Sequence, residues 1–235
     1  MKILAKIRFY WGAFVITFIL ATVMIAWVTL FKKHKGWAIH YFNRVILFLM
    51  NVKVKAHGQR DKDANMYLIN HQGIMDIIAL EAIENTHFSW VAKKELFEVP
   101  WMGKIMKNGD MISVDRDSKA GLVKLLKDVK ESIEIKNRAI AIFPEGTRSP
   151  TQKLLPFKAG AKLIANKLNL RVQPIVITGS KYALNEHKKT GHSGTIHIHY
   201  LEAFDAKDAP KDWYEQVKER MKEKIEEEYA KGIER

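Results

Sequence analysis

Met66-Tyr67-Leu68-Ile69-Asn70-His71-Gln72-Gly73-Ile74-Met75-Asp76-Ile77-Ile78-Ala79-Leu80-Glu81-Ala82 is the stretch on which the fold turns. Its first four residues form an apolar run of strand length, which predicts a buried strand, and Ile77 to Ala82 predicts a helix. His71 therefore falls where a strand ends and a helix begins, a place where chemistry gathers in α/β proteins. Asp76 follows five residues later. Positions i and i+5 of a regular helix point about 140° apart, so a purely helical pair would not meet. A His71 in the turn before the helix can instead fold its ring back onto the first turn, where Asp76 lies. The carboxylate would then accept from one ring nitrogen, fix the tautomer and leave the other nitrogen as a base. The plain alternative is a surface or capping His–Asp pair without chemistry.

A second stretch, Phe143-Pro144-Glu145-Gly146-Thr147-Arg148-Ser149, also follows an apolar strand, Ala139-Ile140-Ala141-Ile142. A strand-end loop with Gly, Thr and Arg suits an anionic group, because backbone N–H groups and a forked guanidinium both bind phosphate.

Between and around these stretches strands and helices alternate. Strands are expected at Val52–His57, His87–Ala92, Gly109–Val114, Arg138–Phe143, Val172–Ile177 and Thr195–Tyr200. Amphipathic helices are expected over Ser118–Lys136, Phe157–Leu168 and from Trp213 to Tyr229, and Pro100 splits the segment after Lys93 into two short helices. Pro174 belongs at an edge, a bulge or a strand start. The alternation predicts an α/β fold, a mainly parallel mixed sheet flanked by helices. In such a sheet strand ends gather at one edge, so His71/Asp76, Lys93-Lys94-Glu95-Leu96, Arg116 and Glu145-Gly146-Thr147-Arg148 would share one mouth.

Composition narrows the partners. The 235 residues, 47% hydrophobic, suffice for one good core. There is no cysteine, which excludes disulfides, thiolate catalysis and Cys-ligated metal. A formal net charge of +13 points to nucleic acid, an anionic membrane surface or a phosphorylated substrate.

The N-terminus favours the membrane. Phe9 to Phe31 holds 23 residues without a charge, more than the roughly 20 needed to cross a bilayer and far more than the apolar part of a signal peptide. Lys2, Lys6 and Arg8 precede the run, and Lys32, Lys33 and Lys35 follow it, so the positive-inside rule assigns no orientation. The next apolar stretch, Trp37 to Met50, is interrupted by His40, Asn43 and Arg44, as in an interfacial helix. The expected organisation is a helical hairpin anchoring the chain to one leaflet over residues 1–50, with a single true span as the alternative, followed by an α/β domain over 51–235.

Other candidates carry less. His197 and His199 share a strand face and could ligate zinc, but no third ligand is evident nearby, so an exposed strand face is expected. No Gly-rich P-loop is present, and the Lys/Glu pattern from Lys211 to Glu228 reads as a solvated helix face.

Together these motifs resemble those of the glycerolipid acyltransferase family. Its His-x4-Asp block matches His71 and Asp76, and its second block matches Gly109 to Arg116. Phe-Pro-Glu-Gly-Thr-Arg-Ser is matched in full by Phe143 to Ser149 and continued by Pro156-Phe157-Lys158-Ala159-Gly160-Ala161. A fourth, Pro-centred block matches Val172 to Ile177. The likeness covers about Val52 to Tyr200, and the two-helix N-terminus is as in bacterial members. Gly73 stands where Ser is frequent, and Gln173 precedes the fourth-block proline.

The resemblance implies transfer of a fatty acyl group from acyl-CoA or acyl carrier protein to the sn-2 hydroxyl of lysophosphatidic acid, giving phosphatidic acid in phospholipid biosynthesis. His71 would be the general base and Asp76 its orienter. Lys94, Arg116 and Arg148 would hold the phosphate beside Gly146 and Thr147, while Glu145 would order the loop. No metal, other cofactor or nucleic acid is implied, and the location would be the cytoplasmic face of a bacterial inner membrane. Another lysophospholipid or glycerol 3-phosphate as acceptor, or lipid hydrolysis by the same pair, are the alternatives.

Overall fold

A computed structural model of the protein describes residues 2–31, 35–115 and 119–232. The chain opens with α1 (Lys2–Phe18), which runs through a π-helical stretch, Ile19–Met24, into α2 (Ile25–Leu30), and α3 (Lys35–Leu49) follows. Then come β1 (Val52–His57), β2 (Met66–Ile69), α4 (Ile74–Ile83), β3 (Phe88–Lys93), a 3-10 turn at Lys94–Phe97 and α5 (Pro100–Asn108). Next are β4 (Ile112–Val114), α6 (Lys119–Glu134), β5 (Ala139–Ile142), α7 (Ala159–Lys167) and β6 (Arg171–Thr178). A short α8 (Ser180–Ala183) leads into a hairpin of β7 (Leu184–Asn185) and β8 (Thr190–Gly191). The chain ends with β9 (Gly194–Tyr200), β10 (Phe204–Asp205) and α9 (Trp213–Ala230).

The main sheet has the order β1-β9-β6-β2-β5-β3-β4, with β10 also pairing β6. The β1–β9, β6–β2, β2–β5, β5–β3 and β3–β4 pairs are parallel, whereas β9 and β10 meet β6 antiparallel. The expected mainly parallel mixed sheet is therefore present. Helix α4 begins at Ile74, three residues before the expected start.

Both faces of the sheet are covered, which explains why the central strands read as unbroken apolar runs. Tyr67 and Ile69 enter one apolar layer with residues of α1, α3 and α4; Met66 and Leu68 enter the other with residues of α6, α7 and α9. Helix α4 is apolar nearly all round because it lies between sheet and α3: Met75, Ile78, Ala79, Leu80 and Ala82 are all buried. At about 1.5–3 kcal/mol for each large apolar side chain, this burial locks the helix that carries Asp76.

Pro174 lies inside a central strand, which costs a ladder donor. The register accommodates it. Ile175 pairs with Tyr200 but Val172 pairs with Phe204, so the β9–β10 side holds one extra residue, a bulge opposite Pro174. Gln173 ties this break together, accepting from Asp61 N at 2.9 Å and donating to Gln59 O at 2.9 Å and Leu201 O at 3.0 Å.

The N-terminal helices share the core with the α/β body. Val15, Ile16, Ile19, Ile46 and Leu47 are buried in the same layer as Met75 and Ile78, so packing does not divide at residue 50. Trp11 Nε1 donates to Leu49 O at 3.0 Å, closing α1 onto the end of α3. Helix α1 also lies against β8, where a Cβ on Gly191 would stand 2.8 Å from Phe9 N; only glycine permits that approach. The outer face is different. Among the described residues, thirteen of the sixteen exposed large hydrophobic side chains belong to these helices and to Phe31, including Trp11, Phe14 and Phe18. The 29 residues Lys2–Leu30 form a helix long and apolar enough to cross a membrane.

Candidate active site

Strand β2 leaves the sheet at Asn70, whose side chain extends the ladder by one more rung. Its Nδ2 donates to Ile177 O at 2.8 Å and its Oδ1 accepts from Ile177 N at 2.6 Å. His71 follows in the turn. Its Nδ1 is 2.8 Å from Asp76 Oδ2, in the third position of α4, so ring and carboxylate meet as the spacing suggested. The same oxygen accepts Gln72 N at 2.6 Å and Gly73 N at 2.8 Å. An oxygen already receiving two backbone N–H donors acts as an acceptor, so the proton of the third bond is assigned to Nδ1. The lone pair is left on Nε2, which no hydrogen bond engages among the described residues. The imidazole is buried and stacks on Phe143, with centroids 3.7 Å apart and an 11° interplanar angle; Trp90 backs Phe143 at 5.2 Å.

The neighbouring strand β5 brings the second loop alongside. Gly146, at φ +69, turns the chain in a conformation that suits glycine. Ser149 N donates to His71 O at 2.8 Å. Lys181 from α8 is buried and donates to both Gln72 O at 2.8 Å and Ser149 O at 2.6 Å, clamping the two loops.

Glu145 points inward. Its Oε1 accepts His71 N at 2.6 Å and its Oε2 accepts Leu155 N at 2.7 Å. Burial pushes its carboxyl up to about 7; the Asp76 charge adds to the rise and the two N–H donors oppose it. Because this value lies above the usual 4.5, the folded chain holds the proton more tightly than the unfolded one. The resulting stability is complete below about pH 4.5 and is lost as pH rises through about 7, a span worth roughly 3 kcal/mol. In urea titrations the stability of the wild type relative to Glu145→Gln should fall across that window. Parallel pH profiles would mean that the folded carboxyl does not retain a proton.

Thr147 and Arg148 are exposed at the rim. Arg148 donates from one terminal nitrogen to Glu186 Oε2 at 2.6 Å, and Glu186 Oε1 accepts Ile74 N at 3.3 Å, at the start of α4. A half-exposed pair of this kind contributes about 0–1 kcal/mol, so an incoming anion can displace it. Lys94 lies at the end of β3, two strands from β2 at the same sheet edge, with its Nζ 3.5 Å from Asp115 Oδ2. Arg116 lies outside the described residues.

His71, Asp76, Glu145, Gly146 and Arg148 thus come together. Glu186 and Lys181 join them from segments whose sequences carry no motif. The expectation for His197 and His199 needs correction: His199 is buried, and a third histidine, His57, stands beside them because β1 pairs with β9 in parallel. Burial lowers the basicity of both, that of His199 to about 4.

An imidazole oriented by a carboxylate at one strand end and a cation-bearing loop at the next, on a mixed α/β sheet, make a candidate active site that sets a base-competent nitrogen beside a positive charge. The family model described as acyltransferase matches residues 51–178, more than half of the chain, from β1 to the end of β6. The protein belongs to the acyltransferase family.

The chain is similar to the 1-acyl-sn-glycerol-3-phosphate acyltransferase of Helicobacter pylori (strain J99), 40% identical over 174 residues that cover 74% of this chain and 73% of the relative. It is 26% identical over 182 residues to the Escherichia coli enzyme of the same name, covering 77% and 74%. It is 32% identical over 168 residues to human 1-acyl-sn-glycerol-3-phosphate acyltransferase beta, spanning 72% of this chain but 60% of that longer one. The fold matches the crystal structure of the 1-acyl-sn-glycerophosphate acyltransferase from Thermotoga maritima with a TM-score of 0.79, over 97% of this chain and 98% of that one, at 23% identity.

Proposed function

We propose that the protein transfers a fatty acyl group from the thioester of acyl-CoA or acyl carrier protein to the sn-2 hydroxyl of 1-acyl-sn-glycerol 3-phosphate, giving phosphatidic acid. The observation that carries this reading is the Asp76-oriented imidazole with an open Nε2, at the same sheet edge as Arg148. The names of the relatives supply the acceptor.

Nε2 of His71 takes the hydroxyl proton as the oxygen attacks the thioester carbonyl. The tetrahedral intermediate collapses, the C–S bond breaks, and the departing thiolate takes the proton back from His71. Asp76 stabilises the imidazolium in between. No covalent acyl-enzyme, metal or further cofactor is required. Arg148 exchanges Glu186 for the acceptor phosphate, a bidentate match for its guanidinium, and Lys94 adds a second positive charge at the rim. The N–H groups of Gln72 and Gly73 are committed to Asp76, so the oxyanion is met by other donors.

The outer face of the N-terminal helices rests in one leaflet, with the cytoplasmic side of a bacterial inner membrane as its location. Phe14→Glu with Phe18→Glu, both on exposed positions, should sharply reduce binding to anionic vesicles and leave the thermal midpoint unchanged. Unaltered vesicle binding would remove the role of this face.

The reaction is tested by thiol release from acyl-CoA and from acyl carrier protein thioester, each with and without lysophosphatidic acid, other lysophospholipids and glycerol 3-phosphate. Acceptor-dependent thiol release with phosphatidic acid as product is expected. Equal release without acceptor would make the protein a hydrolase.

A further inference from the structure

Three histidines outside the catalytic loop meet on the sheet face that carries α9. Strands β1 and β9 run in parallel with His57 opposite His199 and Lys55 opposite His197, so alternation puts all three imidazoles on one side. One nitrogen of each lies within 4.8 Å of the others. His57 Nε2 and His197 Nδ1 are 2.9 Å apart. His199 is 4% exposed, and among the described residues its Nε2 has no hydrogen-bond partner although Glu228 Oε2 of α9 stands 3.3 Å away. Glu228 is also buried, and its other oxygen faces Lys224 Nζ at 3.2 Å and Lys231 Nζ at 3.0 Å. The two lysines hold the carboxylate so that Oε2 remains for the histidines. A buried nitrogen aimed at a carboxylate without a hydrogen bond is uncommon and calls for an explanation, and a cation shared between the two provides one.

We propose that His57, His197, His199 and Glu228 form a binding site for a divalent transition metal ion of the zinc type. Three imidazoles and one carboxylate suit zinc, cobalt or nickel, whereas magnesium and calcium take oxygen ligands. A tetrahedral ion with metal–nitrogen bonds of about 2.0–2.1 Å sets its ligand atoms roughly 3.3–3.4 Å apart. The His199–Glu228 separation of 3.3 Å already matches that edge, and the His57–His197 separation of 2.9 Å falls short of it by a few tenths of an ångström. The rings are nearly parallel, His57 lying at 14° to His197 and 9° to His199, so ligation requires them to turn until their lone pairs converge. His57 and His197 are half-buried, so neither ring is enclosed on every side.

The ion would fasten β1, β9 and the last turns of α9. Tyr229, next to Glu228, accepts from Gln72 Nε2 at 2.8 Å and donates to Gln152 O at 3.1 Å, so the fastened helix end abuts the catalytic loop. The role is structural and independent of the acyl-transfer reading.

The test uses the untagged full chain in detergent, stripped with chelator and titrated with Zn2+ by calorimetry and with Co2+ by visible absorption. One ion per chain is expected, with the absorption bands of tetrahedral Co2+ and a raised thermal midpoint. His57→Gln, His197→Gln and Glu228→Gln should each weaken binding at least about tenfold, since even outer partners of a ligand commonly matter that much. His71→Ala should bind as the wild type does. Absence of saturable binding, or affinity unchanged in His57→Gln and His197→Gln, would overturn the site. Should a variant fail to fold, the wild-type Co2+ spectrum decides, and octahedral or absent bands would reject the proposal.

Discussion

His71→Ala protein, folded and still bound to vesicles, is expected to turn over acyl-CoA and lysophosphatidic acid at least about a thousandfold more slowly than the wild type, within the range general-base catalysis supplies. The loss should fall on kcat, because Nε2 acts on the hydroxyl in the transition state while Arg148 still binds the phosphate. Asp76→Asn separates orientation from charge. All three donors converge on Oδ2, so an asparagine oxygen in that place still receives Gln72 N, Gly73 N and His71 Nδ1. Its amide nitrogen would take the position of Oδ1, which is buried without a hydrogen-bond partner among the described residues. The tautomer survives, and what disappears is the negative charge that stabilises the imidazolium. A kcat loss of roughly ten- to a hundredfold is expected, smaller than for His71→Ala. Asp76→Ala also strands two backbone donors and should destabilise the chain by about 1–3 kcal/mol for each. Steady-state kinetics across pH, paired with unfolding curves, reads all three variants. Near-normal turnover in folded His71→Ala would end this mechanism.

Arg148→Ala should weaken the acceptor by about ten- to a hundredfold, the equivalent of roughly 1.5–3 kcal/mol for a charge-assisted contact. Arg148→Lys should fall in between, because an ammonium cannot copy the fork. The contact with Glu186 adds a prediction of opposite sign. A carboxylate occupies the guanidinium before the phosphate arrives, so Glu186→Gln should tighten acceptor binding, by severalfold for a half-exposed pair. Apparent affinities are measured for each substrate with the other saturating. Loss of donor affinity with acceptor affinity kept in Arg148→Ala would assign this loop to the donor's phosphates.

What could be read in advance was local. Apolar runs of strand length, ending in His71 and Phe143, foretold β2 and β5 because strands covered on both faces lose alternation. The five-residue gap to Asp76 foretold the hydrogen bond because a turn and one helical turn are rigid pieces. What could not be read was long-range. Glu186 reaches Arg148 across 38 positions and Lys181 reaches Gln72 across 109, through a crossover that leaves no local trace. His57 meets His197 across 140 positions, only because an edge strand closes the sheet in parallel. The N-terminal helices were half legible for a physical reason too: composition shows an apolar segment but not which of its residues pack into the core and which stay exposed. Val15 and Ile16 turn inward while neighbouring Phe14 and Phe18 turn outward.

The contact between α1 and Gly191 has a geometric consequence. The hairpin that touches the helix there also carries, in its connecting loop, the Glu186 that grips Arg148. The resting position of the guanidinium is therefore set by how α1 seats on Gly191, because any side chain there would push the hairpin off the helix and carry Glu186 with it. A disturbance of the N-terminal helices thus reaches the rim of the site through packing alone, while His71 and Asp76, held by their own loop, keep their places.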